Sequence, residues 1–341
     1  MLATTTVSLS LSVDISSSRF LSEELQWAIF RILRFVIIPF ISVLGISGNV
    51  TSIVILTRQG FRKCYNILLL SLAISDILLL IGVNNVVFFI YTFRYFVNFS
   101  KSISYMCYIV YTTIDYAYIA GVLSAYLIPV LITGERMLSI LCPLTAHLFL
   151  TPRRTAMFMS CVLCVTATYC LYHQMLSPPL KNDTYVINGV TTALSVRSDL
   201  CRNHIRSGLF QLLANMFNYL TGIVALALNM VGCVVIGLKI LHVTKRRRQL
   251  TSKANANTKR GITKTTKTLL KICFLYILCY SSAFGLAYNV ENGQLQWSVI
   301  RVTVCVHNLI VCINCLGDFI IYIASNTTFL TSIVVCRRMK T

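Results

Sequence analysis

The charged pair Glu135-Arg136 lies at the end of a long apolar stretch, seven residues before Pro143. A carboxylate and a guanidinium in adjacent positions can form an ion pair, which is stronger where water is excluded. Charged side chains inside lipid are expensive, so this pair suits a membrane span only where the helix leaves the membrane. Arg136 is therefore the first candidate for a functional role.

Four more polar residues fall inside apolar stretches: Asn49, Asp76, Asn314 and Asp318. A spacing of four puts Asn314 and Asp318 on one face of a helix. If Asp76 and Asp318 converge, the two carboxylates repel each other in a low dielectric unless a cation or a proton lies between them. The pattern predicts a small ion or a water cluster that links the second and seventh spans. The alternative is that backbone carbonyls or neighbouring hydroxyl groups satisfy each residue separately.

The composition places these residues in a membrane. Apolar residues make up 56% of the 341 residues and charged residues only 12%, and the mean hydropathy is +0.75, which is too apolar for a water-soluble fold. A helix needs about 20 apolar residues to cross the hydrocarbon core. The sequence predicts an all-α bundle of seven transmembrane helices, near 34–56, 66–90, 106–135, 155–177, 207–238, 268–290 and 299–323.

The distribution of basic residues predicts the orientation, because cytoplasmic loops retain Lys and Arg. Most of the 30 basic residues fall in segments 57–65, 136–154 and 239–271 and in the C-terminal tail, which all lie on one side of the predicted membrane. The N-terminus is therefore expected outside. The net charge of +20 is spread over membrane borders rather than over one soluble domain, which favours anionic membrane lipid over nucleic acid as the partner.

The 14 cysteines do not indicate a disulfide scaffold, because most of them fall within spans. Cys107, where the third span begins, and Cys201, between the fourth and fifth spans, are the pair that can form a bridge on the oxidising side of the membrane. The sequons at Asn98 and Asn182 fall in predicted external loops, where glycosylation can occur. The pair Cys161-x-x-Cys164 has the spacing of metal ligands, but no His and no second pair lies nearby in the sequence, so simple packing is the preferred interpretation.

Several of these motifs, in the same spans and the same order, resemble the rhodopsin-like G-protein-coupled receptors. The resemblance covers the chain from about 34 to 338 and implies a plasma-membrane receptor with a seven-helix bundle and a short amphipathic eighth helix. The implied division is an external N-terminus over 1–33, the bundle over 34–325, and the eighth helix with the cytoplasmic tail over 326–341. The motifs are Gly48-Asn49, Leu72-Ala73-x-x-Asp76, Glu135-Arg136 with Pro143, and Asn314-x-x-x-Asp318-x-x-x-Tyr322.

The resemblance implies roles for these residues. Glu135 holds Arg136 in the resting state and releases it toward a heterotrimeric G protein on activation, and Tyr322 swings inward to support the open state. Tyr280 occupies the place of a tryptophan in the sixth span that takes part in activation. Cys336, beside the basic residues of the tail, can carry palmitate; an unmodified thiol is the alternative. A sodium ion is the expected guest of the polar cluster, which is formed by Asn49, Asp76, Asn314 and Asp318.

The sequence departs from the family mainly where helices bend. Phe319 stands in the proline place of the seventh-span motif, and Ser282 in that of the sixth. The fifth span has no proline, whereas Pro129 lies in the middle of the third. Proline is the main cause of sharp bends, so weaker bends are expected in the fifth to seventh helices. No acidic residue occurs between Asp199 and Glu291, so the sixth span has no carboxylate to hold Arg136.

The outer halves of the spans are expected to form a ligand cavity with polar and aromatic groups on apolar walls. Counting back from Arg136 puts Tyr118 where receptors for monoamines carry an Asp, which argues against such a ligand. The seventh span has no lysine for a retinal Schiff base. A basic mouth favours an anionic ligand by electrostatic steering. The expected cavity residues are Asp115, Tyr118, Tyr288, Asn289 and His307, and the basic ones are Arg94, Lys101, Lys181, Arg197, Arg202 and Arg206.

The short N-terminus and loops resemble invertebrate chemosensory receptors and related neuropeptide receptors, so the ligand is a small molecule or a peptide. We favour the chemosensory function, with the neuropeptide function as the alternative. A transporter or channel is the alternative of a different class, but the two halves of the sequence show no repeat. A purely structural membrane protein leaves the Glu135-Arg136 pair without a purpose. No arrangement of catalytic residues predicts an enzyme.

Overall fold

The computed structural model describes residues 23–85, 101–142, 146, 151–175, 181–187, 190–196, 203, 207–250, 268–282 and 297–325. Long helices follow one another through these residues, and each predicted span overlaps one of them. In chain order they are α1 (Glu23–Gln59), α2 (Cys64–Val83), α3 (Lys101–Leu141), α4 (Pro152–Met175), α5 (Gly208–Asn218, Tyr219–Val224 and Ala225–Leu250), α6 (Thr268–Ser282) and α7 (Trp297–Ser325).

Length and composition allow five of the described helices to cross a membrane: α1, α2, α3, α5 and α7. The described part of α6 is apolar but shorter than a full span. Helix α4 has 24 residues and is less apolar on average. Together the helices form one all-helical membrane bundle, as the hydropathy of the sequence predicts.

Two helices contain π-helical segments. Leu33–Ile37 interrupts α1, and Tyr219–Val224 interrupts α5. A π-helical turn in an α-helix is, like proline, a recognised cause of local bending. Helix α5 lacks proline and nevertheless has an irregular turn in the middle of its span, a feature that the proline pattern did not predict. Pro129 lies inside α3 and is fully buried.

The core consists of two layers, one toward each end of the bundle. The first layer includes Ile38 of α1, Leu80 of α2, Tyr280 of α6 and Cys312 of α7. The second layer is formed by residues of α1, α2, α3, α4, α6 and α7, among them Leu72. Helix α1 packs against both α2 and α7, and α3 packs against α2, α4 and α5. The bundle therefore closes between its first and last helices.

Glycines allow α2 and α3 to approach closely. A Cβ atom at Gly82 of α2 would lie 2.6 Å from Cα of Tyr118, and one at Gly121 of α3 would lie 2.6 Å from the backbone nitrogen of Leu79. Contacts this short do not occur for real Cβ atoms, so both positions require glycine. Small residues at helix crossings are the usual means of close packing in membranes.

A β-hairpin follows α4. Its strands, β1 (Lys181–Ile187) and β2 (Val190–Val196), are antiparallel, with Lys181 opposite Val196 and Ile187 opposite Val190. Strand β2 also packs against α3. A two-stranded hairpin is marginal by itself in water, so this contact with α3 supports it. The sequence analysis treated this segment only as a loop. The predicted eighth helix, at 326–341, lies outside the described residues.

Candidate functional site

A small cavity lies between α1, α2, α6 and α7, and its polar lining residues are Asn49, Ser52, Asp76, Asp318 and Tyr322. We call it the polar cavity. Its volume is about 20 Å³, which is enough for one particle the size of a water molecule. Helix α7 contributes Asp318 and Tyr322 one turn apart, so both side chains reach the same space.

The carboxylate of Asp76 is completely buried, with an exposure of 0%. Neither of its oxygens accepts a hydrogen bond from the described residues, although the thiol of Cys315 lies beside it. Asp318 is also buried, with an exposure of 5%. Its Oδ2 accepts a hydrogen bond from Nδ2 of Asn314 at 3.4 Å, whereas Oδ1 has no partner among the described residues. The structure thus brings two acids together with too few donors.

Asn49 links the two helices beside these acids. Its Nδ2 donates to the backbone oxygen of Gly45 at 3.0 Å in its own helix and to that of Cys315 at 3.2 Å in α7. The adjacent Gly48 faces Phe319, because a Cβ atom at Gly48 would lie 2.4 Å from Cδ1 of that ring. Phe319, which stands in the family's proline place, therefore packs on a glycine of α1 and forms part of the cavity wall.

The oxygen atoms in and beside the polar cavity are suitable ligands for a small hard cation. Both oxygens of Asp76 and Oδ1 of Asp318 have no hydrogen-bond partner among the described residues, and the same holds for Oδ1 of Asn314 and Oγ of Ser52. Carboxylate, amide and hydroxyl oxygens are ligands for hard cations. Two anionic groups in a dry site are unfavourable unless a cation or a proton compensates them. The residues present can therefore hold a sodium ion.

A second charged site lies near the C-terminal end of α3. Glu135 and Arg136 form an ion pair, with 2.9 Å between Oε2 and Nε, and each side chain is 11% exposed. We call these two residues the inner arginine site. The guanidinium also lies over the ring of Tyr65 in the first turn of α2, 5.2 Å from its centroid. Both the acid on α3 and the ring on α2 thus face the charge of Arg136.

A gap between α3, α5 and α6 borders the inner arginine site. Arg136 and Thr133 of α3, Cys233 of α5 and Cys273 of α6 line it, together with apolar side chains. Its volume is about 10 Å³. Oγ1 of Thr133 donates a hydrogen bond to Oδ1 of the fully buried Asn229 and lies 3.1 Å from the sulfur of Cys273. The three helices are therefore joined by polar contacts at this level.

Three tyrosines lie between the polar cavity and the outer half of the bundle. The ring centroid of Tyr280 is 4.5 Å from that of Tyr126 and 4.4 Å from that of Tyr276. Tyr280 is 3% exposed, and its hydroxyl has no partner among the described residues. The residue that replaces the family's tryptophan is thus held in an aromatic cluster that joins α3 to α6.

The predicted ligand-cavity residues are only partly brought together. Tyr118 packs into the first core layer at the contact between α2 and α3. Asp115 and His307 are partly buried, and Tyr288 and Asn289 lie outside the described residues. The outer half instead contains a buried arginine that the sequence analysis did not select. Arg34 of α1 is 9% exposed and donates to the backbone oxygens of Val83 and Asn85 at the end of α2.

The remaining predicted positions lie at the edges of the described residues. Cys107 forms no disulfide with another described cysteine, and Cys201 is outside the described residues, so the disulfide stays a prediction. Asn182 belongs to strand β1. Asn98 and Cys336 are outside the described residues.

Several polar side chains at these sites were missed in the sequence. Asn229 is a polar residue inside a span, so the rule that singled out Asp76 could have found it. Ser52 lies on the same helical face as Asn49, three residues later. Tyr65 had no such signal, because an aromatic residue at the start of an apolar helix is common.

A comparison with known protein families finds a match that spans these helices. The family model described as "7 transmembrane receptor (rhodopsin family)" matches residues 48–322, which include the polar cavity and the inner arginine site. A search of curated proteins found no match to the chain. Because the family model covers most of the sequence and reaches from α1 to α7, the chain belongs to the rhodopsin family of seven-transmembrane receptors.

Proposed function

We propose that this receptor is chemosensory and passes the binding of an external small molecule to a heterotrimeric G protein through Arg136. Membership of the family implies G-protein coupling and an extracellular ligand. The inner arginine site is the observation that carries the proposal. Arg136 borders the gap between α3, α5 and α6, so a movement of α6 away from α3 would make this residue accessible.

The mechanism follows from differences between two conformers. A ligand in the outer half shifts the equilibrium only by its differential affinity for the two states. In the resting state Arg136 contacts Glu135 and lies against the closed gap. In the active state α6 is displaced, and Arg136 faces the C-terminal segment of the G protein. The sequence from Lys245 to Lys267 is rich in Lys and Arg, and we propose that it contributes to binding of the G protein.

The replacement of Arg136 by alanine tests this role. In cells with a promiscuous G protein, Arg136→Ala should remove nucleotide exchange while leaving the number of receptors at the cell surface unchanged. Arg58→Ala is the matched control, because Arg58 is an exposed basic residue in the last turn of α1. Normal signalling by the Arg136→Ala receptor would show that the role assigned to Arg136 is wrong.

We propose an anionic small molecule as the ligand class, with a peptide as the alternative. Support comes from the basic residues of the external segments and from the shortness of the loops between spans. A panel of carboxylate-bearing, cationic and peptide ligands can be screened with the same exchange measurement. A set of active compounds that contains only cations would contradict the proposed ligand class, and activation by peptides alone would favour the alternative.

We propose that the receptor is oriented in the plasma membrane with its N-terminus outside, with glycans at Asn98 and Asn182 and a disulfide between Cys107 and Cys201. The bias of basic residues supports the orientation. An N-terminal epitope should be accessible to antibody on intact cells, and a C-terminal epitope only after permeabilisation. Each Asn→Gln change should remove one glycan and increase electrophoretic mobility. Palmitate at Cys336 can be tested by hydroxylamine-sensitive labelling.

We propose sodium as the guest of the polar cavity, held by Asp76 and Asp318 with Asn314 and Asn49 beside them. A bound cation supplies positive charge between the two acids, and it stabilises the folded receptor by mass action. Replacement of sodium by N-methylglucamine at constant ionic strength should lower the unfolding temperature of the purified receptor. Asp76→Asn should abolish this dependence. A wild-type receptor whose unfolding temperature does not respond to sodium would contradict the proposal.

A further inference from the structure

Within the part of the chain that the structure describes, the guanidinium of Arg136 contacts one partner on its own helix and one on another. Glu135 is adjacent in α3, so their ion pair moves with α3 and cannot hold one helix against another. The ring of Tyr65 belongs to α2, and its centroid lies 5.2 Å from the guanidinium carbon. This distance is within the range of a cation–π contact, which strengthens as water is excluded.

Among the described residues, no other helix supplies an acidic partner for Arg136. The sequence has no acidic residue between Asp199 and Glu291, so α5 and α6 present only neutral and basic side chains to the gap. Leu269 and Leu270 of α6 line the gap opposite Arg136. Nη2 of Arg136 has no hydrogen-bond partner among the described residues. The interhelical attraction on this buried charge therefore comes from an aromatic face.

The ring is well placed for this function. Tyr65 is partly buried and packs against the second core layer, so its position is fixed by α2 rather than by solvent. The ammonium of Lys63 lies 5.6 Å from the same ring. Lys63 is exposed and can turn into water, whereas Arg136 is 9% exposed and gains more from the ring.

We propose that Tyr65 is a positioning residue that clamps Arg136 in the resting state through its aromatic face. The inference rests on the proposed function of Arg136. The clamp holds the guanidinium against α2 at the border of the gap between α3, α5 and α6, so that it does not extend into the space where a G protein would contact it. The ring thus joins α2 to α3 through Arg136. A carboxylate on α6 would join α6 to α3 in the same way.

The first test measures ligand-free nucleotide exchange by a purified heterotrimeric G protein with receptor in lipid nanodiscs, per folded receptor. Tyr65→Leu keeps an apolar side chain and removes the ring, and it should raise basal exchange by about 2-fold to 30-fold, the range of cation–π energies. Tyr65→Phe keeps the ring face and should therefore retain the clamp, so its basal exchange rate should be close to that of the wild type. Lys63→Gln is the matched control and should not raise the rate, because it removes a cation from the same ring without touching Arg136.

The double variant Tyr65→Leu/Arg136→Ala should show no increase in exchange, since the released group is absent. Because exchange is expressed per folded receptor, a loss of folded receptor cannot imitate the expected rise. If basal exchange rises as much in Tyr65→Phe as in Tyr65→Leu, the hydroxyl rather than the ring face acts, and the clamp as proposed is wrong.

A second measurement does not need a G protein. Cys273 is buried in the gap, so its reaction with a charged methanethiosulfonate reagent, located by mass spectrometry, reports opening of the gap. Tyr65→Leu should accelerate this reaction, and Tyr65→Phe should not. Faster labelling without exchange in any variant, the wild type included, would support the clamp and refute G-protein coupling. Unchanged labelling and unchanged exchange in Tyr65→Leu would overturn the clamp.

Discussion

The polar cavity and the inner arginine site both place charge inside the bundle, but they compensate it in opposite ways. In the polar cavity, Asp76 and Asp318 have carboxylate oxygens without donors among the described residues. In the inner arginine site, Glu135 neutralises Arg136 at 2.9 Å. We propose that the first region takes up a cation from solution, whereas the second is neutral by itself. Solution conditions should therefore act on the first region, and conformational change on the second.

The largest expected effect comes from removing the acid of the inner arginine site. Glu135→Gln leaves Arg136 buried without a counter-charge and should lower the free energy of unfolding by about 3 kcal/mol, as for other broken buried pairs. Thermal unfolding of the solubilised receptor measures this effect. Glu24→Gln is the control, because Glu24 is exposed in the first turn of α1. Equal stability of the wild-type and Glu135→Gln receptors would mean that the ion pair does not compensate Arg136.

A smaller effect is expected from the wall of the polar cavity. In Gly48→Ala the new methyl group would meet the ring of Phe319, and such overpacking should cost about 2 kcal/mol of stability. The double variant Gly48→Ala/Phe319→Leu should recover part of the loss, because the smaller side chain leaves room. Gly237→Ala serves as a control, since a Cβ atom there meets nothing within 4 Å. Identical losses in both single variants would show that helix propensity, not the ring, determines the cost.

The polar contacts beside the inner arginine site should contribute less. Thr133→Val removes the donor to Asn229 with little change in shape, and hydrogen bonds between membrane helices contribute about 1 kcal/mol. The unfolding temperature should fall slightly, and labelling of Cys273 should become faster. Thr57→Val is a suitable control, because Thr57 is exposed and hydrogen-bonds only within α1. An equal effect in both variants would argue against an interhelical role for Thr133.

The smallest effect has the opposite sign and separates the two regions most clearly. Asp318→Asn removes one of two like charges, so in sodium-free buffer it should raise the stability of the receptor by about 1 kcal/mol or less. Neutralising an acid should thus stabilise the polar cavity and destabilise the inner arginine site. The measurement is thermal unfolding in N-methylglucamine. A decrease in stability for Asp318→Asn under these conditions would mean that the cavity compensates its acids internally.

The sequence predicted the helices better than their irregularities. Each predicted span overlaps a helix. A run of apolar residues long enough to cross the hydrocarbon core can be recognised from consecutive residues alone. The π-helical turns in α1 and α5 were not predicted, since they depend on how the neighbouring helices pack. The hairpin after α4 was missed as well. Its strands have seven residues each and depend on α3 for support.

For the candidate sites, the sequence identified the charged members but not their neutral partners. Asp76, Asp318, Glu135 and Arg136 were found because charge in an apolar span is costly wherever the residue lies. Tyr65 is an ordinary residue for a helix end, and only its distance from Arg136 gives it significance. The expectation that Tyr118 faces a ligand cavity stays a prediction, and the structure adds that this residue packs at the contact between α2 and α3.

The sequence alone determined that the chain is a membrane protein, where its helices lie and which polar residues fall within the apolar spans. Hydropathy and charge are properties of each residue and can be read without the tertiary structure. Only the tertiary structure decided that Asp76 of α2 and Asp318 of α7 share one cavity, and that an aromatic ring of α2 covers Arg136. These relations join residues far apart in the chain. They depend on helix crossings that glycines and bulky side chains set together, and no single segment contains that information.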